Sequence, residues 1–282
     1  MIDPVVFSLG PLSIRWYGVF AAAGMLVFYY LQILRAKRYD CTDEMVSDLT
    51  FTCMLAGIIG ARLAYVLRFW SAEFAGRGFF EVFKVWQGGL VFQGGFIAAA
   101  LAAIVLCRFR KWPLAKVADL VSPALPAGHA VARIGCLLNG CCFGFPYDGP
   151  LAVVYPSVGN TVLAIQKQQG VIPLEATACA PTFPVAGLES FCNLLLCLLL
   201  LWLEKKSLFR GRLFLLYMLL YSALRFGLEF FRGDYLHKSF GLTPAQITSL
   251  CVLAGAGIFW LALAVRQRTK ARNNDASRPA KI

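Results

Sequence analysis

Leu213–Phe231 reads LFLLYMLLYSALRFGLEFF, an apolar run interrupted by one arginine and one glutamate. A helix rises about 1.5 Å per residue, so roughly 20 residues cross a hydrocarbon core of about 30 Å. An arginine at mid-bilayer costs on the order of 2.5–3.5 kcal/mol even on lenient insertion scales, so Arg225 must face a protein interior or a polar cavity. Arg62 inside Leu49–Leu67 and Arg133 inside Leu114–Cys142 are placed in the same way. Such groups need an anion, and the abundant anion of a membrane is the phospholipid head group. The first expectation is a protein that holds a lipid phosphate below the membrane surface.

Apolar runs of this kind recur outward in both directions. They are Trp16–Leu34, Leu49–Leu67, Leu90–Cys107, Leu114–Cys142, Phe183–Leu203, Leu213–Phe231 and Ile247–Val265. The chain of 282 residues is 59% apolar and only 15% charged, against about 25% charged in soluble domains. The fold expected is therefore all-α and polytopic, with about seven transmembrane helices in a single integral membrane domain over 1–282. Pro123, Pro126 and Gly128 predict a kink or a break in the fourth span. The first span lacks a basic n-region and a small-residue cleavage site, so it is not expected to be a cleavable signal peptide.

Charge gives the orientation. Arg35, Lys37 and Arg38 follow the first span; Arg108, Arg110, Lys111 and Lys116 separate the third from the fourth. Lys205, Lys206, Arg210 and Arg212 separate the fifth from the sixth, and six more basic residues follow the seventh. Most of the 27 basic residues thus fall on one side, which the positive-inside rule assigns to the cytoplasm. The N-terminus is then outside, with a basic tail over 267–282 in the cytoplasm. The segment 145–182, rich in proline, becomes a small external head between spans four and five. A net charge of +12 is accounted for by this bias and by anionic membrane lipid, and gives no reason to invoke nucleic acid.

Two clusters carry chemistry. HAVARIGCLLNGCCFG, His129 to Gly144, places His129 and Arg133 on one helix face, then opens at Asn139-Gly140 into a small-residue turn. Gly135, Gly140 and Gly144 would admit close approach by another backbone or a lipid. On the sixth span Tyr221, Arg225, Glu229 and Arg232 fall within an arc of roughly 80° at about 100° per residue. Glu229 could pair with Arg225 or Arg232, and two arginines for one glutamate suggest a partly unpaired site. Ten cysteines raise metal and disulfide readings. C-x4-C-C is no standard zinc pattern, so no metal and no cofactor are expected; a disulfide among Cys141, Cys142 and Cys179 stays open on the oxidising side.

RIGCLLNGCCFG resembles the signature loop of the prolipoprotein diacylglyceryl transferase family, in a form with cysteines in place of an asparagine and a glutamate. DPVVFSLGPLSIRWYG at Asp3–Gly18, WQGGLVFQGG at Trp86–Gly95 and the sixth-span stripe match the family in order. The resemblance implies transfer of a diacylglyceryl group from phosphatidylglycerol to the lipobox cysteine of a prolipoprotein signal peptide. It forms a thioether, releases glycerol phosphate and occurs at the bacterial inner membrane. It also implies that Arg133 binds phosphatidylglycerol and that Arg225 is a second essential arginine. Tyr17, Tyr221, Gly144, Glu229 and Arg232 match further functional positions, and Asn139 and Gln93 complete the candidate substrate-binding set.

The chain departs from the family pattern at Gln93, where histidine is usual, at Cys136 and Cys141, and in FPVAGLES, where only Pro184 and Glu189 agree. Glutamine cannot take a proton at neutral pH. Tyr17, Tyr221 or His129 is then left to assist proton removal from the acceptor thiol, and the sequence does not choose among them. Two alternatives stay open: a divergent enzyme with another lipid or thiol substrate, and a non-catalytic anion- or lipid-binding or transport protein. Against the transporter stands the absence of an internal repeat.

Overall fold

The computed structural model describes residues 4–9, 12–76, 78–85, 88–156, 161–206, 212–235 and 241–276. A two-stranded antiparallel hairpin, β1 (Val5–Leu9) and β2 (Leu12–Arg15), leads into α1 (Trp16–Ala36). There follow α2 (Asp43–Arg68), α3 (Phe92–Phe109), α4 (Leu114–Val121), α5 (Ala124–Asn139), α6 (Val162–Gln168), α7 (Val185–Leu203), α8 (Leu213–Leu228) and α9 (Pro244–Ala276). Among the described residues, six helices are long and apolar enough to cross a membrane. The protein is thus a multi-pass, all-α membrane protein. The expected fourth span is two helices, α4 and α5, because Pro123 lacks an N–H and its ring obstructs continuation of the preceding turn. α9 stays helical through Ala276, past the start of the basic tail; residues 277–282 lie outside the described residues, as do 157–160 of the proposed head.

The chain forms two compact units, Met1–Phe28 with Val121–Ile282, and Tyr29–Leu120. In the second unit Thr42 caps α2 by accepting the Met45 N–H at 3.2 Å, with Asp43 and Glu44 in the positive first turn. α2 packs along α3. Arg35 donates to the Leu120 and Asp119 carbonyls, closing a core of Ala36, Cys41, Val46 and Leu120.

Arg62, expected to await an anion, is instead satisfied by backbone. Its Nε donates to the Val82 carbonyl at 2.7 Å, Nη2 to Glu81 at 2.9 Å, and Nη1 to Gly88 and Gly89 at 2.9 and 3.2 Å. The guanidinium also lies over the Tyr65 and Phe74 rings. Its charge supports the connection between α2 and α3.

In the first unit α5 packs on α7, α7 on α8, and α8 on α9. α9 begins with a capping box: the Thr243 N–H donates to Gln246 Oε1 at 3.0 Å, and the Gln246 N–H donates back to Thr243 Oγ1 at 3.2 Å. Between α5 and α7 the chain builds a small fold of its own. Phe143, Tyr155, Val162 and Cys179 form its core. The Gln166 amide holds both backbone groups of Ala180, at 3.0 and 2.9 Å. Burial pushes the Tyr155 hydroxyl above its usual range.

Candidate functional site

α5 supplies the centre of the site. His129 and Arg133 stand one turn apart on it, and the Arg133 Nε donates to His129 Nε2 at 2.9 Å. Arg133 Nη2 lies 3.0 Å from Glu189 Oε1 on α7, and Nη1 reaches Cys136 Sγ at 3.9 Å. Glu189 is 1% exposed, so its charge is neutralised by Arg133, with His129 Nε2 3.7 Å away. The ring of Tyr221, from α8, sits 5.7 Å from that of His129. Tyr221 lies within electrostatic range of Arg133, Glu189, Arg225 and Glu229 together.

α8 carries Arg225, and the 3-10 turn that follows carries Glu229. Arg225 Nη1 and Glu229 Oε2 make a close ion contact at 2.5 Å, both side chains largely buried. The other oxygen of Glu229 accepts the Thr243 hydroxyl at 2.7 Å, so the cap of α9 also fixes the carboxylate. Arg232 forms a two-pronged pair with Asp234, Nε to Oδ1 at 2.9 Å and Nη2 to Oδ2 at 2.5 Å, with its guanidinium over the Tyr235 ring. Desolvation raises the Tyr235 hydroxyl to about 12.

The expectation of unpaired arginine is therefore corrected. Arg133, Arg225 and Arg232 each have a carboxylate: Glu189, Glu229 and Asp234. The sequence count considered only Glu229. Glu189 enters from another helix, and Asp234 lies beyond the end of the helical arc. Three of the five Arg133 N–H groups are accounted for by His129, Glu189 and Cys136, so the fork keeps donors to offer a ligand.

The turn after α5 holds two further candidates, Asn139 and Gly144. Asn139 ends the helix, and its Oδ1 is buried without a hydrogen-bond partner among the described residues. Gly140 follows at φ +72°, a left-handed C-cap that glycine adopts without steric cost. Gly144 donates its N–H to the Phe183 carbonyl at 3.1 Å and forms a bridge with Arg232. A Cβ there would fall 2.5 Å from that carbonyl oxygen, so this glycine is a matter of backbone approach. Tyr17, half-exposed near the start of α1, lies within electrostatic range of Arg133 and of Cys136, Cys141 and Cys142. Gln93 belongs to the second unit, exposed in the first turn of α3.

His129 Nε2, the atom a base would use, already accepts from Arg133. The arrangement makes His129 a support for the guanidinium. All ten cysteines are free thiols, and Cys179 is packed into the core beside Phe143 and Tyr155.

The family model for prolipoprotein diacylglyceryl transferase matches residues 4–262. A protein of Mannheimia succiniciproducens named phosphatidylglycerol–prolipoprotein diacylglyceryl transferase is 32% identical over 279 residues, covering 96% of each chain. Proteins of the same name from Geobacillus kaustophilus and Synechococcus elongatus are each 33% identical. The first covers 97% of both chains, the second 92% of this chain and 87% of its own.

Proposed function

The chain belongs to the prolipoprotein diacylglyceryl transferase family, and from that premise we infer the roles of its buried arginines. It is a membrane transferase that moves a diacylglyceryl group from phosphatidylglycerol to a prolipoprotein. In our reading the acceptor is the lipobox cysteine of the signal peptide. Its sulfur attacks the glyceryl carbon, the C–O bond to phosphate breaks, and glycerol phosphate leaves.

Arg133 and Arg225 bind the phosphate. They project from α5 and α8 of one unit, are largely buried, and both lie within electrostatic range of Tyr221. That convergence is the observation that carries the reading. Glu189 and Glu229 reduce the burial cost of the guanidinium groups and fix their orientation, and the uncommitted N–H groups take the phosphate oxygens. As negative charge grows on the departing oxygen in a medium of low dielectric, these donors lower the barrier. His129 holds Arg133 in register, while Tyr221, Asn139 and Arg232 border the substrate. Gly144 is proposed to contribute to that binding surface through its backbone, and Gln93 is proposed as a substrate contact of the second unit.

In our reading the enzyme sits in the inner membrane, and the basic flanks support an N-terminus outside, the segment 145–182 as an external head and the C-terminal tail in the cytoplasm. The deciding experiment incubates purified protein with phosphatidylglycerol and a lipobox peptide. A thioether-linked product released with glycerol phosphate supports the reading. Lipid binding without product would point to the binding or transport alternative.

A further inference from the structure

Three thiols meet where α5 ends. Cys136 stands in its last turn, Cys141 follows the Gly140 cap, and Cys142 comes next; their Sγ atoms all lie within 4.8 Å of one another. Ordinary geometry does not bring neighbours together in this way, since adjacent side chains of an extended chain point to opposite sides. Here the Gly140 cap turns the chain back, and the Cys141 N–H donates to the Cys136 carbonyl at 3.2 Å. Cys142 then adopts φ +58°, a left-handed conformation that residues with a Cβ seldom take. Burial is graded across the group: Cys136 is buried, whereas Cys141 and Cys142 are partly exposed. Arg133, the phosphate-binding arginine of the proposed function, donates to Cys136 Sγ.

We propose that Cys136, Cys141 and Cys142 hold a zinc-class divalent ion as thiolates, and that its open fourth position takes the acceptor thiol of the prolipoprotein. The proposal rests on the transferase reading and deepens it. Soft thiolates select thiophilic ions. Zinc with three protein ligands keeps a fourth position for substrate, with Zn–S distances of about 2.3 Å. A tetrahedral site then needs sulfurs roughly 3.8 Å apart, within about 1 Å of the spread already present. The partly exposed side of the group is where a fourth ligand would enter.

Such a site supplies what Gln93 and His129 do not. Gln93 cannot accept a proton, and His129 Nε2 is engaged by Arg133. A coordinated thiol is deprotonated outright. On coordination the acceptor thiol gives its proton to solvent. Its sulfur electron pair forms the S–C bond, the C–O bond breaks, and that pair passes to the phosphate oxygen of glycerol phosphate, which regains a proton. Nothing is oxidised or reduced.

The test uses the full-length protein in detergent, purified under reductant and titrated with cobalt(II) and then zinc(II). The expected result is one equivalent of tetrahedral cobalt with thiolate charge-transfer absorption, displaced by zinc and lost in Cys141→Ser but retained in Cys179→Ser. A cysteine lipobox peptide shifts the cobalt bands and its serine analogue does not. A free thiol of pKa about 8.5 is only a few per cent ionised at pH 7, so stripping the metal lowers transfer about 30-fold there. That deficit narrows as pH approaches 8.5. No stoichiometric uptake, uptake that survives Cys141→Ser, or cobalt bands indifferent to the peptide would overturn the site. Full transfer by the stripped protein would also overturn it, while leaving the transferase standing. No transfer by loaded and stripped protein alike would overturn the transferase reading itself. If Cys141→Ser melts below the wild type, the comparison of cysteine and serine peptides on wild-type protein decides alone.

Discussion

Arg133 on α5 and Glu189 on α7 form an ion pair of 3.0 Å, with the carboxylate almost wholly buried. Removing one partner of such a pair leaves an uncompensated buried charge, at a cost of about 3–5 kcal/mol. Glu189→Gln keeps the shape and loses the charge, so thermal unfolding in detergent should fall by an amount of that order. Phosphatidylglycerol should then stabilise Glu189→Gln more than wild type, because a lipid phosphate can replace the lost carboxylate beside Arg133. Equal stabilisation of both proteins would remove Arg133 from the phosphate site.

Arg133→Lys preserves the charge but not the fork. A lysine cannot donate at once to Glu189, to His129 and to a phosphate, since its ammonium is a point charge on a flexible stem. Removing a positioned donor to a developing anion costs about 10²–10³-fold in turnover. Transfer to a lipobox peptide should fall by at least that factor, with the melting curve little changed. Near-normal turnover in this variant would rule out the two-arginine clamp.

Arg62 should behave differently. Its four carbonyl contacts, to Glu81, Val82, Gly88 and Gly89, hold the connection between α2 and α3. A carbonyl that loses its donor where water cannot replace it costs about 1–3 kcal/mol, and these four, half-buried to exposed, cost less each. Arg62→Leu should therefore lower stability and open residues 81–89 to protease, while the KM for phosphatidylglycerol stays near wild type. A raised KM in a protein that still resists protease would contradict this assignment.

These contrasts show what was legible in the sequence. The membrane class, most of the spans and the break near Pro123 follow from local hydropathy and from the missing proline N–H. His129 beside Arg133 is legible for the same reason, because helix periodicity fixes neighbours four residues apart. Glu189 is not: its partner is 56 positions away by numbering, and nothing in FPVAGLES marks its carboxylate for Arg133. The buried charge of Arg62 was visible, but its backbone partners exist only once Glu81, Val82, Gly88 and Gly89 are brought to it. The thiol group depended on two left-handed residues, Gly140 and Cys142; the first was readable as a turn, whereas no rule predicts that conformation for a cysteine.

Gly144 tests whether the turn is a scaffold or a ligand surface. A methyl group there would sit 2.5 Å from the Phe183 carbonyl oxygen and 3.0 Å from that of Phe231. Both are backbone atoms in the layer that joins this segment to the ends of α7 and α8, and they cannot move singly. Gly144→Ala should therefore loosen the Phe145, Phe183 and Phe231 ring cluster and lower transfer and stability together. A fall in turnover with unchanged melting would mean that Gly144 meets the substrate directly.

Orientation is testable without purifying the enzyme. In the proposed orientation, which follows the positive-inside rule, the C-terminal tail lies in the cytoplasm and the segment 145–182 outside. Gly170 sits in the turn after α6, exposed and at φ +71°, a position suited to an inserted reporter. Alkaline phosphatase, which needs an oxidising compartment for its disulfides, should be active when inserted at Gly170 and inactive when fused after Ile282. A green fluorescent reporter exported through the general secretory route does not mature outside the cytoplasm, so it should give the opposite pattern. Phosphatase activity at both positions would mean that an even number of spans separates them. One of α7, α8 and α9 would then have to be redrawn as a helix that does not cross.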